Sequence, residues 1–286
     1  LKGSQDRTVV ALSALPDYEK NAFIAAEDLA EILKTATGNR KAEAMKGLLS
    51  IDNYKAAEGL LQVAKDDPAV KDAALNRFID LTTAYAPDAD KKRLDIASVL
   101  KIADTKDVKA KALGALANIP TMKSFLLAGK YLDDKDVAYT AASAVKNIAS
   151  KTGEEINYAD FKASLEKAAE IFMSTGNADD GYAVNEIGKL LESAEPSPVS
   201  TLTAEEKKQG FEMLFDGTNL DKWQGDKAGY VPVNGTIYVT ADYGSTGNLY
   251  TLKEYRNFVY RFEFCFLRPG VNNGVGVRTP MGVDAA

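Results

Sequence analysis

Asn257-Phe258-Val259-Tyr260-Arg261-Phe262-Glu263-Phe264-Cys265-Phe266-Leu267 alternates in character at nearly every step. Successive side chains of an extended chain point to opposite faces. Phe258, Tyr260, Phe262, Phe264 and Phe266 therefore share one side, and Val259, Arg261, Glu263 and Cys265 share the other. The aromatic side predicts a core-facing strand over 257–267. The opposite side carries two charges two residues apart, so it borders solvent or a wet groove. Cys265, between two phenylalanines, reads as a buried structural thiol.

The neighbourhood continues in the same idiom. Tyr230-Val231-Pro232-Val233 and Thr236-Ile237-Tyr238-Val239 flank Asn234-Gly235, a pair that readily takes positive φ, and this predicts a tight hairpin. Of the 25 aromatic residues, 13 lie after Pro196, where only five alanines occur. Alanine favours helix and alternating Tyr, Phe and Val favour strand, so the chain changes domain near that proline. Glu195-Pro196-Ser197-Pro198-Val199-Ser200 contains two prolines that forbid continued helix and reads as the linker. The organisation predicted is 1–195 helical, 196–203 linker and 204–286 β-rich, opened by a short helix from about Ala204 to Gln209 that stops at Gly210.

Before the linker three segments share a template. Asp67-Pro68-Ala69-Val70 leads to Ala74 and Phe78, Asp107-Val108 to Ala112 and Leu116, and Asp136-Val137 to Ala141 and Val145. Steps of four residues put each set on one helical face, with alanine where a neighbouring helix can approach. The spacings suit stacked helical pairs resembling HEAT repeats, and an ordinary bundle with acidic N-caps is the alternative. Asp67 reads as such a cap before Pro68. Thr152-Gly153-Glu154-Glu155 and Thr203-Ala204-Glu205-Glu206 have capping-box spacing and predict helix starts. Lys91-Lys92-Arg93 reads as a solvated helix face.

Composition removes several function classes. The chain has 286 residues, a net charge of −6, no histidine and one cysteine. Without histidine there is no Ser-His-Asp triad, no Cys-His dyad and no His-based zinc site, so acid–base work falls to carboxylates, Lys or Tyr. The basic residues are scattered, which argues against a nucleic-acid partner. No run approaches the ~20 continuous apolar residues of a membrane span. Gly244-Ser245-Thr246-Gly247-Asn248 lacks the Gly-Lys-Ser/Thr ending of a phosphate loop and reads as a connection between strands.

Phe211-Glu212-Met213-Leu214-Phe215-Asp216-Gly217-Thr218-Asn219-Leu220-Asp221-Lys222-Trp223, Gly247-Asn248-Leu249-Tyr250-Thr251, the 257–264 run and Asn272-Asn273-Gly274-Val275-Gly276-Val277-Arg278-Thr279-Pro280 together resemble the opening half of the 3-keto-disaccharide hydrolase family, also described as 3-keto-glucoside lyases. The resemblance implies a concanavalin-like jelly roll, of which 204–286 would be a truncated first half belonging to a longer protein. It also implies a periplasmic or extracellular location and a carbohydrate substrate. The whole is then multidomain: an all-α helical-repeat unit, HEAT-like solenoid or bundle, followed by a truncated all-β jelly roll.

A 3-keto-glycoside has an acidified proton at C2, because the adjacent carbonyl stabilises the carbanion as an enolate, and removing it expels the group at C1. Such chemistry needs a base near C2, donors or a cation at O3, and a donor to the departing oxygen. By resemblance, Glu263 is the candidate base or ligand, Arg278 the charge at the enolate, Asn272 and Asn273 sugar contacts, and Trp223 a stacking surface. Each has a plainer reading: a solvated strand face for Glu263, turn chemistry for the asparagines, close backbone approach around the glycines before Arg278, and end-packing for Trp223. A divalent metal is left open, with no His or Cys metal site in the chain. Two functions follow: an enzyme cleaving or eliminating 3-keto-glycosides on a helical scaffold, or a non-catalytic module that binds glycan through the sandwich and a protein partner through the helices.

Overall fold

The computed structural model describes residues 9–11, 13–14, 24–152, 159–194, 198–239, 247–266 and 274–282. The chain is mostly helical, with a few short strands near its end. Two compact units, Leu1–Ser193 and Ala194–Ala286, account for it.

The first unit contains α1 (Ile24–Thr35), α2 (Gly38–Ser50), α3 (Ala56–Asp66), α4 (Lys71–Tyr85), α5 (Ala89–Ile102), α6 (Lys106–Leu116), α7 (Met122–Gly129), α8 (Ala138–Thr152), α9 (Lys162–Ser174) and α10 (Asp180–Glu192), after a helical stretch around Val9. The main packing runs between helices adjacent or next but one in chain order. The template helices α4, α6 and α8 pack in succession, and α5, α7 and α9 each lie against the member that precedes them. Ala74, Ala112 and Ala141 are each 0% exposed, which is what close helix approach through a small residue requires. Gly47 meets the same demand more sharply: a Cβ there would lie 2.5 Å from the Ser13 Cα. No described helix is long and apolar enough to cross a membrane.

Three local expectations change. Asp67 does not cap α4, whose N-cap is Val70. Its Oδ1 accepts from the Ala69 amide at 3.1 Å and its Oδ2 pairs with Lys41, so it organises the turn ahead of the helix instead. Thr152 closes α8 rather than opening a helix, with its hydroxyl donating to the Ile148 carbonyl at 3.0 Å; the remainder of that motif, 153–155, lies outside the described residues. Lys91-Lys92-Arg93 is only in part a solvated face. Arg93 is 0% exposed, Lys92 Nζ donates to the Thr83 carbonyl at 2.8 Å, and Lys91 Nζ donates to Asp95 Oδ1 at 2.6 Å.

That last contact belongs to a buried polar node. Asp95, 5% exposed, accepts from the Tyr54 and Thr82 hydroxyls as well as from Lys91, joining α4, α5 and the turn before α3. Burial, then the bond to Asp95, pushes the Tyr54 phenol up to about 12. Burial opposes charge on Lys91, yet its bonds to Asp95 and Tyr54 outweigh this and its pKa is raised. A carboxylate can be tolerated in a core only when so satisfied.

The second unit opens with α11 (Ala204–Lys208), followed by β1 (Trp223–Gly225), a 3₁₀ turn (Lys227–Gly229), β2 (Tyr230–Val233), β3 (Thr236–Val239) and β4 (Leu249–Thr251). The capping box at α11 is complete: Thr203 Oγ1 accepts from the Glu206 amide at 3.2 Å, and Glu206 Oε2 accepts from the Thr203 amide at 2.9 Å. Gly210, at φ 81°, ends the turn that follows. β2 and β3 pair antiparallel about Asn234 (φ 49°) and Gly235 (φ 71°), the hairpin expected from that dipeptide. β1 pairs antiparallel with β4, Trp223 opposite Thr251.

The 257–267 run departs from expectation. Its described part is assigned to no strand, and 258–266 is exposed throughout. The alternation survives as a row of rings: Tyr260–Phe262, Phe262–Phe264 and Phe264–Phe266 centroids lie 4.8, 6.2 and 5.4 Å apart. Cys265 is therefore an exposed free thiol, not a buried one. Likewise 274–278 forms no strand. The glycine-rich 244–248 segment lies outside the described residues as far as 246, as do 195–197 of the linker.

Candidate functional site

The second unit is built around the segment from Phe211 to Trp223. Asp216 accepts the Thr218 amide at 2.9 Å and its hydroxyl at 2.7 Å, a tight side-chain turn that holds the carboxyl below the usual aspartate range. Gly217 then takes φ 103°, and a Cβ there would sit 2.3 Å from the Pro198 carbonyl oxygen. The Ser200 amide donates to the Asp216 carbonyl at 2.7 Å. The Asp-Gly pair thus provides a docking point for the chain that leads into α11, which explains why this turn needs both a short carboxylate and a residue without a side chain. Trp223 Nε1 donates to the Leu214 carbonyl at 2.9 Å and Lys222 Nζ to the Met213 carbonyl at 2.6 Å, closing the segment on itself.

Trp223 is half-buried on β1, its indole N–H committed to the backbone, an arrangement suited to packing. Glu263 is exposed on the ringless side of the 258–266 run and bonds to no other described residue. Arg278 is exposed in a bend at φ 60°, its Nη2 donating to the Arg256 carbonyl at 3.3 Å. Among the described residues these three are not bonded to one another. Asn272 and Asn273 lie outside the described residues.

Arg261 has the firmest position on that side. Its guanidinium lies 4.4 Å from the centroid of the Phe211 ring, and Nη1 is 3.7 Å from Glu206 Oε1 in the capping box. The contact ties the run to the α11 end of the unit; among the described residues neither Glu263 nor Arg278 is paired with another charge.

A polar group that sequence reading missed is Glu212 with Lys253 and Tyr255. Glu212 Oε1 accepts from Lys253 Nζ at 2.5 Å and Oε2 from the Tyr255 hydroxyl at 3.2 Å, while the ammonium sits 5.1 Å from the Tyr255 ring centroid. Lys253 first, then Tyr255, hold the Glu212 carboxyl below the ordinary range, and Glu212 raises Lys253. Burial, then Glu212, raises Tyr255. A general base works best with its pKa near the working pH. Glu212 is moved the wrong way, so this trio is an anchor between the Phe211 segment and the chain after β4. No spacing signal could have found it, since the partners are 41 and 43 residues apart. Among the described residues no three acidic or cysteine side chains cluster as metal ligands would.

No curated protein and no solved structure matches this chain. Residues 210–285 match the family of 3-keto-alpha-glucoside-1,2-lyase-like domains, the same family that the Phe211 segment, the Leu249-Tyr250-Thr251 strand and the run to Arg278 resemble.

Proposed function

We propose that the C-terminal unit acts on carbohydrate, cleaving or eliminating 3-keto-glycosides, with the helical unit as scaffold. The observation that carries this reading is the family match over 210–285. In it Glu263 takes the C2 proton, Arg278 balances charge on the O3 enolate, Asn272 and Asn273 hold sugar hydroxyls, and Trp223 borders the sugar. The exposed positions of Glu263 and Arg278, neither paired with another charge among the described residues, are what such roles need. The finer architecture belongs to the same proposal: a jelly-roll sandwich for this unit, supported by the period-two row of rings, and a HEAT-like array for the helices, supported by packing confined to near neighbours in chain order. An exported, periplasmic or extracellular location follows from the family.

The test is turnover of a 3-keto-glucoside by the full-length protein, with and without a chelator. Arg278→Ala should lower turnover by about 10²-fold or more, the usual effect of removing an oxyanion stabiliser. Glu263→Gln keeps the shape and removes the basicity, so it should depress turnover while leaving sugar affinity in place. Parent-like turnover in both variants would remove these residues from the mechanism. Glycan binding without any parent turnover would transfer the assignment to the non-catalytic binding module.

A further inference from the structure

We propose that the helical unit is a line of separately latched joints. Each repeat is clasped to the next by a donor in the first turn of its leading helix and the aspartate that precedes the leading helix of its successor. The inference rests on the reading of this unit as a stacked array. The template shared by α4, α6 and α8 extends to both sides of them. Ala44 and Leu48 of α2 repeat the spacing of Ala74 and Phe78, and both are fully buried. Ile187 and Leu191 of α10 repeat it again, with buried Ile187 in the place of the alanine. Among the described residues, α2, α4, α6, α8 and α10 therefore lead five successive repeats.

In this register the polar contacts between repeats coincide. Lys41, Lys71 and Lys109 each stand three residues before the anchoring alanine of their helix. They pair with Asp67, Asp104 and Asp134, each just ahead of the next leading helix, the last two at 2.5 and 2.8 Å. In α8 the lysine position is Ala138, and the adjacent Tyr139 takes over, its hydroxyl donating to Asp180 Oδ1 at 2.8 Å at the start of α10. Three of the aspartates divide their oxygens between two repeats. Asp67 and Asp134 accept with Oδ1 from their own turns, at the Ala69 and Asp136 amides, and with Oδ2 from the lysine of the repeat before. Asp180 accepts from Tyr139 with one oxygen and from the Thr175 hydroxyl, in its own turn, with the other. One carboxylate thus fastens the turn that opens a repeat to the helix that opens its predecessor. Charges scattered over a bundle surface would not select the same two positions at boundary after boundary. Because each clasp crosses a single boundary, one joint can open while the others stay closed.

Native-state amide exchange of the whole chain, read helix by helix, tests the joint between α6 and α8. D134N keeps an oxygen for the Asp136 amide and removes the charge that Lys109 meets, while K109M keeps the stem and removes the ammonium. Each should raise the opening constant of α8 to α10 by about threefold to tenfold and leave α2 to α4 unchanged. K109M/D134N should do no more than either alone, since the two groups act as one contact. Asp133 is the control, because it pairs with Lys167 while its side chain is 88% exposed, against 26% for Asp134. D133N should therefore change exchange by less than about twofold. Tyr139→Phe keeps the ring on Phe172 and should raise the opening of α10 without affecting α4 and α6. Circular dichroism at 222 nm checks that each variant is folded. Exchange of all wild-type helices through one common opening would overturn the array reading and the clasps with it. Graded exchange in the wild type, with K109M and D134N no different from D133N or with effects that simply add, would overturn the clasps alone and leave the array standing.

Discussion

Replacing Tyr54 by phenylalanine isolates the buried node of the helical unit. The ring keeps its packing, and the only loss is the hydroxyl that donates to Asp95, a carboxylate 5% exposed and otherwise held by Lys91 at 2.6 Å and Thr82 at 3.3 Å. A hydrogen bond to a charged group contributes about 1.5–3 kcal/mol, with the upper part of that range applying where the charge cannot recruit water. Asp95 retains two donors, so a loss of about 2 kcal/mol is expected. For a unit of this size that corresponds to a fall of about 4–8 °C in melting temperature, followed by circular dichroism at 222 nm. Tyr85→Phe is the internal control, because Tyr85 makes the same chemical bond, to Asp52 at 2.7 Å, on the surface with the Asp52 side chain 66% exposed. That variant should melt with the wild type. Equal effects of the two substitutions, or no effect of Tyr54→Phe, would refute the argument that burial of Asp95 sets the magnitude.

Gly217→Ala places a Cβ at φ 103° and 2.3 Å from the Pro198 carbonyl, so the C-terminal unit should lose more than about 1–3 kcal/mol, read by the fluorescence of Trp223, the single tryptophan; an unchanged denaturation midpoint would count against the tight approach. Lys41 holds Asp67, Lys109 holds Asp134, and Lys146 with Ser150 hold Glu186 below their usual values of 3.8, 3.8 and 4.5. Depressed folded pKa values mean that the unfolded chain binds more protons in acid, so the helical unit should lose stability as pH falls from about 5 to 3, and a flat profile there would contradict the pairing. Brief digestion with a broad-specificity protease should cut between Ser193 and Pro198 before either unit is degraded, since Ser200 is already bonded into the C-terminal unit; first cuts within α4 to α8 would tell against two independent units.

What the sequence by itself determined was set within a few residues. The Asn234-Gly235 turn, the Thr203–Glu206 capping box and the burial of Ala74, Ala112 and Ala141 depend on φ preference, on a donor three residues away and on a four-residue step, all visible in a single stretch of chain. The same holds for the aromatic side of 258–266, whose rings do line up. Tertiary structure decided whatever depends on a partner remote in sequence. Tyr54 and Asp95 are 41 residues apart, and Lys92 bonds to the Thr83 carbonyl, so the part-burial of Lys91-Lys92-Arg93 depends on α5 meeting α4 and the turn before α3. Asp67 changed from helix cap to turn organiser because a local amide and Lys41 claimed its oxygens. Cys265 was read as buried because its neighbours are apolar, but burial is a property of what packs against a strand, and the thiol is exposed. The candidate site divides in the same way: residue types and order marked Glu263, Arg278 and Trp223, whereas the bonding of the Trp223 indole to Leu214 and of the Arg278 guanidinium to Arg256 depended on where the chain returns in space.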